Sequence, residues 1–431
     1  MISILKKEVF MKHLIGYKQQ YIVGALFVIY LILILLIEPV NLLLSNYWKI
    51  LISPSILLTD YLAVGGLAAT LFNVLTTLLF NLLLIRSLKL NFTGPILAVL
   101  MTIIGFSFFG KNVLNALPMY LGVYLYAKAT KTEYKNHIIV LLLSTGISPI
   151  VSYIIFGIGL ELYIGIPLAI IFGALIGFIL PAFNTHALRF HQGYNLYSTG
   201  FSMGVIAMIG TGIMHGFGHK VKTNFIVTYD FHWILFFGLL VLSVLFILVS
   251  FLYDKKPWLN YPSLLKSPGR LVTDFYRDHG IGTTLLNIGI MGLLSLILIL
   301  VMNIQISGPM TGAIFTVMGF AAFGKHPFNS IPVVIGGIIA YWLFMFVDPS
   351  LVGEGTKLAL FFVTGLAPIA GQYGLFPGIV AGFLHLLIVP FALSFQGGFD
   401  LYNNGFAAGF IAAITVPIFD LIKHTKEVHR G

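Results

Sequence analysis

The chain has 431 residues, of which 58% are hydrophobic and only 9% charged, with a mean hydropathy of +1.00. That composition excludes a soluble multidomain protein, because several apolar runs reach the ~20 residues that one bilayer crossing needs. The formal charge of +10 does not point to nucleic acid, since the basic residues sit in short loops between apolar runs, as positive-inside topology requires.

From the N-terminus, MISILKKEVFMKHLIGYK is basic and amphipathic, and a long apolar run with no small-residue cleavage site follows it. This predicts a first helix retained as an anchor rather than a cleaved signal peptide. Apolar segments then follow near 20–44, 61–85, 92–110, 113–128, 137–158, 161–183 and 194–217. A second set lies near 231–253, 280–303, 307–324, 328–347, 357–372, 374–394 and 399–422. The predicted fold class is an all-α polytopic integral membrane protein with no soluble domain. The chain has no cysteine, so it has neither disulfides nor thiolate metal sites.

One stretch occurs twice. FTGPILAVLMTIIGFSFFGKNVLNALP runs from Phe92 to Pro118, and ISGPMTGAIFTVMGFAAFGKHPFNSIP from Ile306 to Pro332. The wider match aligns Ser53–Gly122 with Ser267–Gly336 without a gap at a constant offset of 214, pairing Asp60 with Asp274, Gly66 with Gly280 and Asn73 with Asn287. It resumes at Thr145-Gly146 against Thr364-Gly365, and at YNLYSTGFSMGVIA (Tyr194 to Ala207) against FDLYNNGFAAGFIA (Phe399 to Ala412). Chance does not place so many coincidences in one register, so the chain is an internal duplication. Two membrane repeats are expected, 1–230 with a core at 53–217 and 231–431 with a core at 267–422.

Seven segments per half is an odd number, which forces the copies to run in opposite directions through the membrane. With every segment crossing, nineteen of the 24 Lys and Arg fall on the side of the N-terminus, and only Lys49, Lys111, Lys220, Lys222 and Lys357 fall opposite. Re-entrant third and seventh segments would give a weaker split of 16 to 8. The expectation is therefore two inverted-topology repeats with broken or short third and seventh segments, in a bacterial plasma (inner) membrane with both termini cytoplasmic. The paired GP…GF…FGK blocks and the LYxxGF blocks resemble the bacterial membrane family called domain of unknown function 1576. The resemblance covers nearly the whole chain and implies no activity, so it carries no binding or catalytic role to any residue.

Inverted repeats place transporter sites where the copies meet. Thr93-Gly94-Pro95 and Ser307-Gly308-Pro309 are helix starts, with a hydroxyl cap and proline in the first turn. If they begin within the membrane, their N–H groups and dipole ends face a polar or anionic solute; the plainer reading is two helices that start at the interface. Lys111 and Lys325 either donate to that solute or snorkel to headgroups. Asn73 and Asn287, in mid-segment, either face the site or bind a neighbouring helix. Asp60 and Asp274 read as caps of their own helices.

The seventh segments hold the other polar cluster: Asn195 and Tyr197 before Gly200, and Asp400, Tyr402, Asn403 and Asn404 before Gly405. Asn, Asp and Gly in succession disfavour a helix, so these helices are expected to start near the glycine and to line either a polar cavity or an interfacial loop. Asp400 stands where Asn195 stands, which makes it the first choice of ion ligand. His186, His191, His215 and His219 lack a carboxylate in register, so no metal site is expected. The Gly-rich stretches read as helix packing and not as phosphate loops.

The expected function is a secondary transporter of a small polar or ionic solute, not an enzyme, with no catalytic residues and no cofactor. A passive channel lined by Asn73, Asn287 and the Gly-Pro starts is the alternative. An intramembrane enzyme is third, with His385 and Asp400 as its acid–base pair. Expected partners are the lipid bilayer and the solute, with H+ or Na+ as candidate coupling ions and no nucleic acid; assembly into a homo-oligomer stays open.

Overall fold

The computed structural model describes residues 24–428. The basic N-terminal stretch up to Lys18, the first residues of the predicted anchor, and Arg430 lie outside the described residues. The helices are α1 (Gly24–Ile37), α2 (Val40–Leu51), α3 (Tyr61–Ser87), α4 (Gly94–Phe106) and α5 (Val113–Ala129). Next come α6 (Ile138–Ser144), α7 (Pro149–Phe156), α8 (Leu162–Phe190), α9 (Ser198–Gly216) and α10 (His232–Tyr253). Then follow α11 (Tyr261–Leu265), α12 (Phe275–Asp278), α13 (Ile281–Val301), α14 (Gly308–Phe320) and α15 (Pro327–Val347). The chain ends with α16 (Glu354–Phe362), α17 (Ala367–Tyr373), α18 (Leu375–Gln396) and α19 (Asn403–Val428).

The protein is all-helical, and among the described residues seven helices are long and apolar enough to cross a membrane. Two bent pairs raise that number to nine at most. This falls short of the fourteen segments read from the sequence: α5, with 17 residues, and α9 are not among the seven, and the other five have three physical reasons. The first segment does not run unbroken from 20 to 44: Pro39 follows Glu38, and α1 and α2 meet at 99°. The fifth segments are also interrupted. A 3-10 turn at Thr145–Ile147 parts α6 from α7, and another at Val363–Leu366 parts α16 from α17. The third segments, α4 and α14, have 13 residues each. At ~1.5 Å per residue such a helix covers about 20 Å of a core about 30 Å thick. The seventh segments, expected short, are not: α9 has 19 residues and α19 has 26.

Burial sorts the helices. Faces of α8, α10, α15 and α18 expose large apolar side chains such as Ile171, Leu252, Phe346 and Phe376, as lipid-facing surfaces do. In α14, by contrast, every residue except Phe315 is buried. It packs against α4 along small residues: a Cβ on Gly105 would lie 2.8 Å from the Gly312 carbonyl oxygen, and one on Gly319 2.7 Å from that of Ala98. Gly105 thus faces Gly312 while Ala98 faces Gly319, so the two helices run antiparallel at the centre of the molecule. Only backbones without side chains between them approach that closely.

Candidate functional site

The starts of α4 and α14 are built alike. Thr93 Oγ1 accepts from the Ile96 N–H (3.3 Å) and Ser307 Oγ from the Met310 N–H (3.2 Å). The Leu97 and Thr311 N–H groups reach the carbonyls of Thr93 and Ser307, and Pro95 and Pro309 have no N–H to give. The last donors, Gly94 and Gly308, are taken by carboxylates from the other half of the chain. Gly94 donates to Asp274 (3.0 Å) and Gly308 to Asp60 (3.0 Å). Asp60 also caps α3 through the Leu62 N–H, and Asp274 caps α12 through that of Arg277. The first-turn N–H groups expected to be open to a solute are therefore all paired, and a carboxyl group already sits at each dipole end. An incoming anion would have to displace an aspartate.

At the other end of these helices the chain turns through Gly110 (φ 72°) and Gly324 (φ 121°), a backbone region that a side chain disfavours. Asn112 and His326 then open α5 and α15 in capping boxes with Asn115 and Asn329. The turn leaves carbonyls without helical partners, and mid-helix carboxamides supply them. Asn73 Nδ2 donates to the Ser107 and Lys111 carbonyls, both at 2.8 Å, and Asn287 Nδ2 donates to those of Ala321 and Lys325, both at 2.7 Å. Both asparagines therefore hold the turn in place.

The turns aim Lys111 and Lys325 inward. Their exposures, 1% and 0%, show that neither snorkels. Lys111 Nζ donates to Thr145 Oγ1. Lys325 Nζ donates to the Tyr197 hydroxyl and to Thr364 Oγ1 (2.8 Å), and lies 4.4 Å from the centre of the Tyr197 ring and 5.3 Å from that of Phe320. Each threonine sends its own hydroxyl proton back to a carbonyl, Thr145 to Leu142 and Thr364 to Phe361, so its oxygen can accept from lysine. Among the described residues the ion pairs are Lys135–Glu133 and Arg277–Asp278; neither buried lysine has a carboxylate within 4.0 Å.

Beside the lysines, α9 and α19 start against each other, two residues ahead of Gly200 and Gly405. The Tyr197 and Tyr402 rings lie 5.2 Å apart, and Tyr402 meets Phe106 edge-on at 4.6 Å while its hydroxyl donates to Thr102 (3.0 Å). Asn195 accepts from the Tyr197 N–H (2.9 Å) and donates to the Gly405 carbonyl (2.8 Å). Asp400 accepts from the Tyr402 N–H (2.8 Å), but its Oδ2 is buried without a partner.

The fold thus brings Lys111, Lys325, Asn195, Tyr197, Asp400 and Tyr402 around one centre. It leaves Thr93-Gly94-Pro95 and Ser307-Gly308-Pro309 at the far ends of α4 and α14, and puts Asn73 and Asn287 behind the turns. Asn403 and Asn404 lie in the first turn of α19, where Asn404 Oδ1 meets His385 Nε2 (3.1 Å). His385 pairs with that amide, and Asp400 with a backbone N–H. Sequence reading missed Thr145 and Thr364, although the repeated Thr-Gly pair was visible. It also missed Glu354, which is buried and accepts from Ser307 (2.7 Å) and Tyr229 (2.9 Å). A separate groove of about 740 Å³ between α1, α3, α4, α10 and α14 is lined by apolar side chains such as Phe27, Leu71 and Phe315, as suits lipid tails.

No curated protein and no solved structure matches the chain. A family match covers residues 40–216 and 254–421, two stretches that begin 214 residues apart and leave out α1, α10 and the connection between α9 and α10. The matched stretches carry the Gly-Pro starts, the Phe-Gly-Lys turns and both tyrosine blocks, and make up most of the sequence: the chain belongs to the family described as "Protein of unknown function (DUF1576)".

Proposed function

We propose that the chain is a secondary transporter of a small anion, built from two inverted-topology repeats, 1–230 and 231–431, in a bacterial plasma membrane with both termini cytoplasmic. The observation that carries this reading is the pair of fully buried lysine amines, at equivalent positions of the duplication, with no carboxylate beside them. A buried ammonium without a counter-charge is costly, and a solute anion supplies that charge. Hydroxyls from Thr145, Thr364 and Tyr197 give the site its neutral polar partners.

The inverted arrangement is supported by the antiparallel crossing of α4 and α14 and by hydrogen bonds that recur 214 residues on. In the second half, contacts at helix ends agree with seven passages. The Ile306 N–H reaches His232 Nδ1 (2.9 Å) and Ser307 reaches Glu354, which gathers the starts of α10, α14 and α16 at one face. Tyr373, ending α17, binds Asp420 (2.7 Å) toward the end of α19. The channel reading has less support, because the centre is close-packed: a Cβ on Gly405 would lie 2.8 Å from the Tyr197 carbonyl oxygen.

The test is the thermal stability of the purified protein with formate, acetate, oxalate, nitrate, sulfate and phosphate, followed by flux of any stabilising anion into vesicles. A ligand at a hundredfold excess over its dissociation constant adds ~2.7 kcal/mol of stability. The expected result is a shift with at least one anion that is lost in Lys325→Met, and a flux that saturates. No shift with any anion, or a shift in both Lys325→Met and Lys111→Met as large as in the parent, would sink the lysine site. Flux that rises without saturating would favour the channel.

A further inference from the structure

Asn195 and Asp400 occupy equivalent positions in the repeated tyrosine blocks and are held alike. Each accepts, at 2.9 and 2.8 Å, from the N–H of the tyrosine two residues on. Each is fully buried. They differ at the second side-chain atom. Asn195 Nδ2 donates to the Gly405 carbonyl at the start of the opposite helix (2.8 Å), whereas Asp400 Oδ2 has no partner. The acceptor equivalent to Gly405 is the Gly200 carbonyl, at the start of α9. Carried over by the register of the two blocks, that acceptor would set an ionised Asp400 against a second acceptor; only a protonated carboxyl can make the bond that the asparagine makes.

Building on the transporter reading, we propose that Asp400 is the site of the coupling ion and that the ion is a proton, carried on Oδ2 and donated to the Gly200 carbonyl so as to hold α9 against α19. The proton arrives from solvent and leaves as solvated H+, and no covalent bond other than O–H is made or broken. Other titratable groups approach from several elements. Tyr402 lies on the same loop, Tyr197 faces it from α9, and Tyr153 of α7, bound to His219, packs on Phe399. Lys111 follows Gly110, which packs on Leu401, and His385 of α18 is held by Asn404. None forms an ion pair with Asp400, so none supplies the counter-charge that would keep it ionised.

The sign of the pH effect follows from linkage. The closed contact binds one more proton than the opened one, so closure is favoured at low pH and lost as pH rises, by up to about tenfold in the closed-to-open ratio per pH unit. Because the chain has no cysteine, single cysteines at Ile209 of α9 and Ile414 of α19, both exposed, can carry spin labels without background. Pulsed electron resonance from about pH 5 to about pH 9 brackets the range open to buried carboxyls. The expected result is a distance distribution that lengthens with pH in the parent, stays short at every pH in Asp400→Asn, and responds more strongly in Asn195→Asp. A pH-independent distance in the parent, or an unchanged response in Asp400→Asn, overturns the proposal. The outcome is separable from that of the transport reading: saturable flux with no pH-dependent distance removes the proton site alone, and a pH-dependent distance without flux keeps it and removes transport.

Discussion

Lys325 and Lys111 stand at matching positions 214 residues apart, and their surroundings differ. Lys325 binds Tyr197 and Thr364 and lies against two aromatic rings, whereas Lys111 binds Thr145, and the tyrosine equivalent to Tyr197 has turned away to Thr102. The frame that delivers the lysines has not diverged in this way. The asparagines that bind two carbonyls each and the aspartates that cross to the opposite helix recur in both halves with distances that agree within about 0.1 Å, around glycine turns whose φ differs (72° and 121°). The frame in each half has to keep its backbone hydrogen bonds, since each unpaired buried group is costly. The side chains at the centre are under no such constraint. The comparison therefore predicts similar effects of paired substitutions in the frame and unequal effects at the centre.

The largest expected effect is in the frame. Asn73→Ala and Asn287→Ala each leave two buried carbonyls unpaired, at ~1–3 kcal/mol apiece, so each should destabilise the protein by roughly 2–6 kcal/mol. Asn287 also accepts from Tyr261 (3.2 Å) while Asn73 Oδ1 has no partner, so Asn287→Ala should cost about 1 kcal/mol more. Reversible unfolding in mixed detergents measures both. A near-neutral result for either variant would break the claim that the two turns are held in the same way.

A smaller effect is expected at the helix starts. Asp60→Ala and Asp274→Ala each remove a cap on the residue's own helix and on the helix of the opposite half, for about 1–2 kcal/mol per cap. Asp60 accepts a third N–H, from Thr228 (3.4 Å), so its loss should be slightly the greater. Hydrogen exchange sharpens this, because Asp60→Ala should release the Gly308 amide of α14 and Asp274→Ala the Gly94 amide of α4. Exchange confined to each aspartate's own helix would contradict the crossed caps.

What was legible in the sequence follows the same division. The repeat register, the helix starts, the short third segments and the lysine-bearing turns are local patterns, and local patterns survive duplication. Crossed caps were not legible, because nothing near Asp60 names Gly308, 248 residues away. The fifth segments looked continuous because Thr145-Gly146-Ile147 and Thr364-Gly365-Leu366 are small or apolar and leave hydropathy unbroken; only the prolines at 149 and 368 marked the interruption. Burial of Lys111 and Lys325 could not be read either, since a lysine beside an apolar run snorkels or turns inward according to where the turn aims it. Asp400 was singled out by asymmetry alone, and the bond that its counterpart makes to Gly405 gives that asymmetry a physical content.

The smallest expected effect distinguishes the two lysines in the absence of any anion. Replacing a buried amine by methionine removes its desolvation cost, and what remains depends on the groups left behind. Lys111→Met leaves Thr145, whose hydroxyl still donates to the Leu142 carbonyl, so stability should stay within about 0.5 kcal/mol of the parent or rise. Lys325→Met leaves Tyr197 with its hydroxyl buried and its ring without the cation above it, for a net loss of about 1–2 kcal/mol. Equal effects would mean that Lys111 has partners as good as those of Lys325, and the divergence at the centre would then be confined to Asn195 and Asp400. An anion should widen the gap if Lys325 is its main ligand and leave it unchanged if both amines bind the same molecule. Measuring the pair with and without the stabilising anion therefore tells whether the solute is held on one side of the centre or across it.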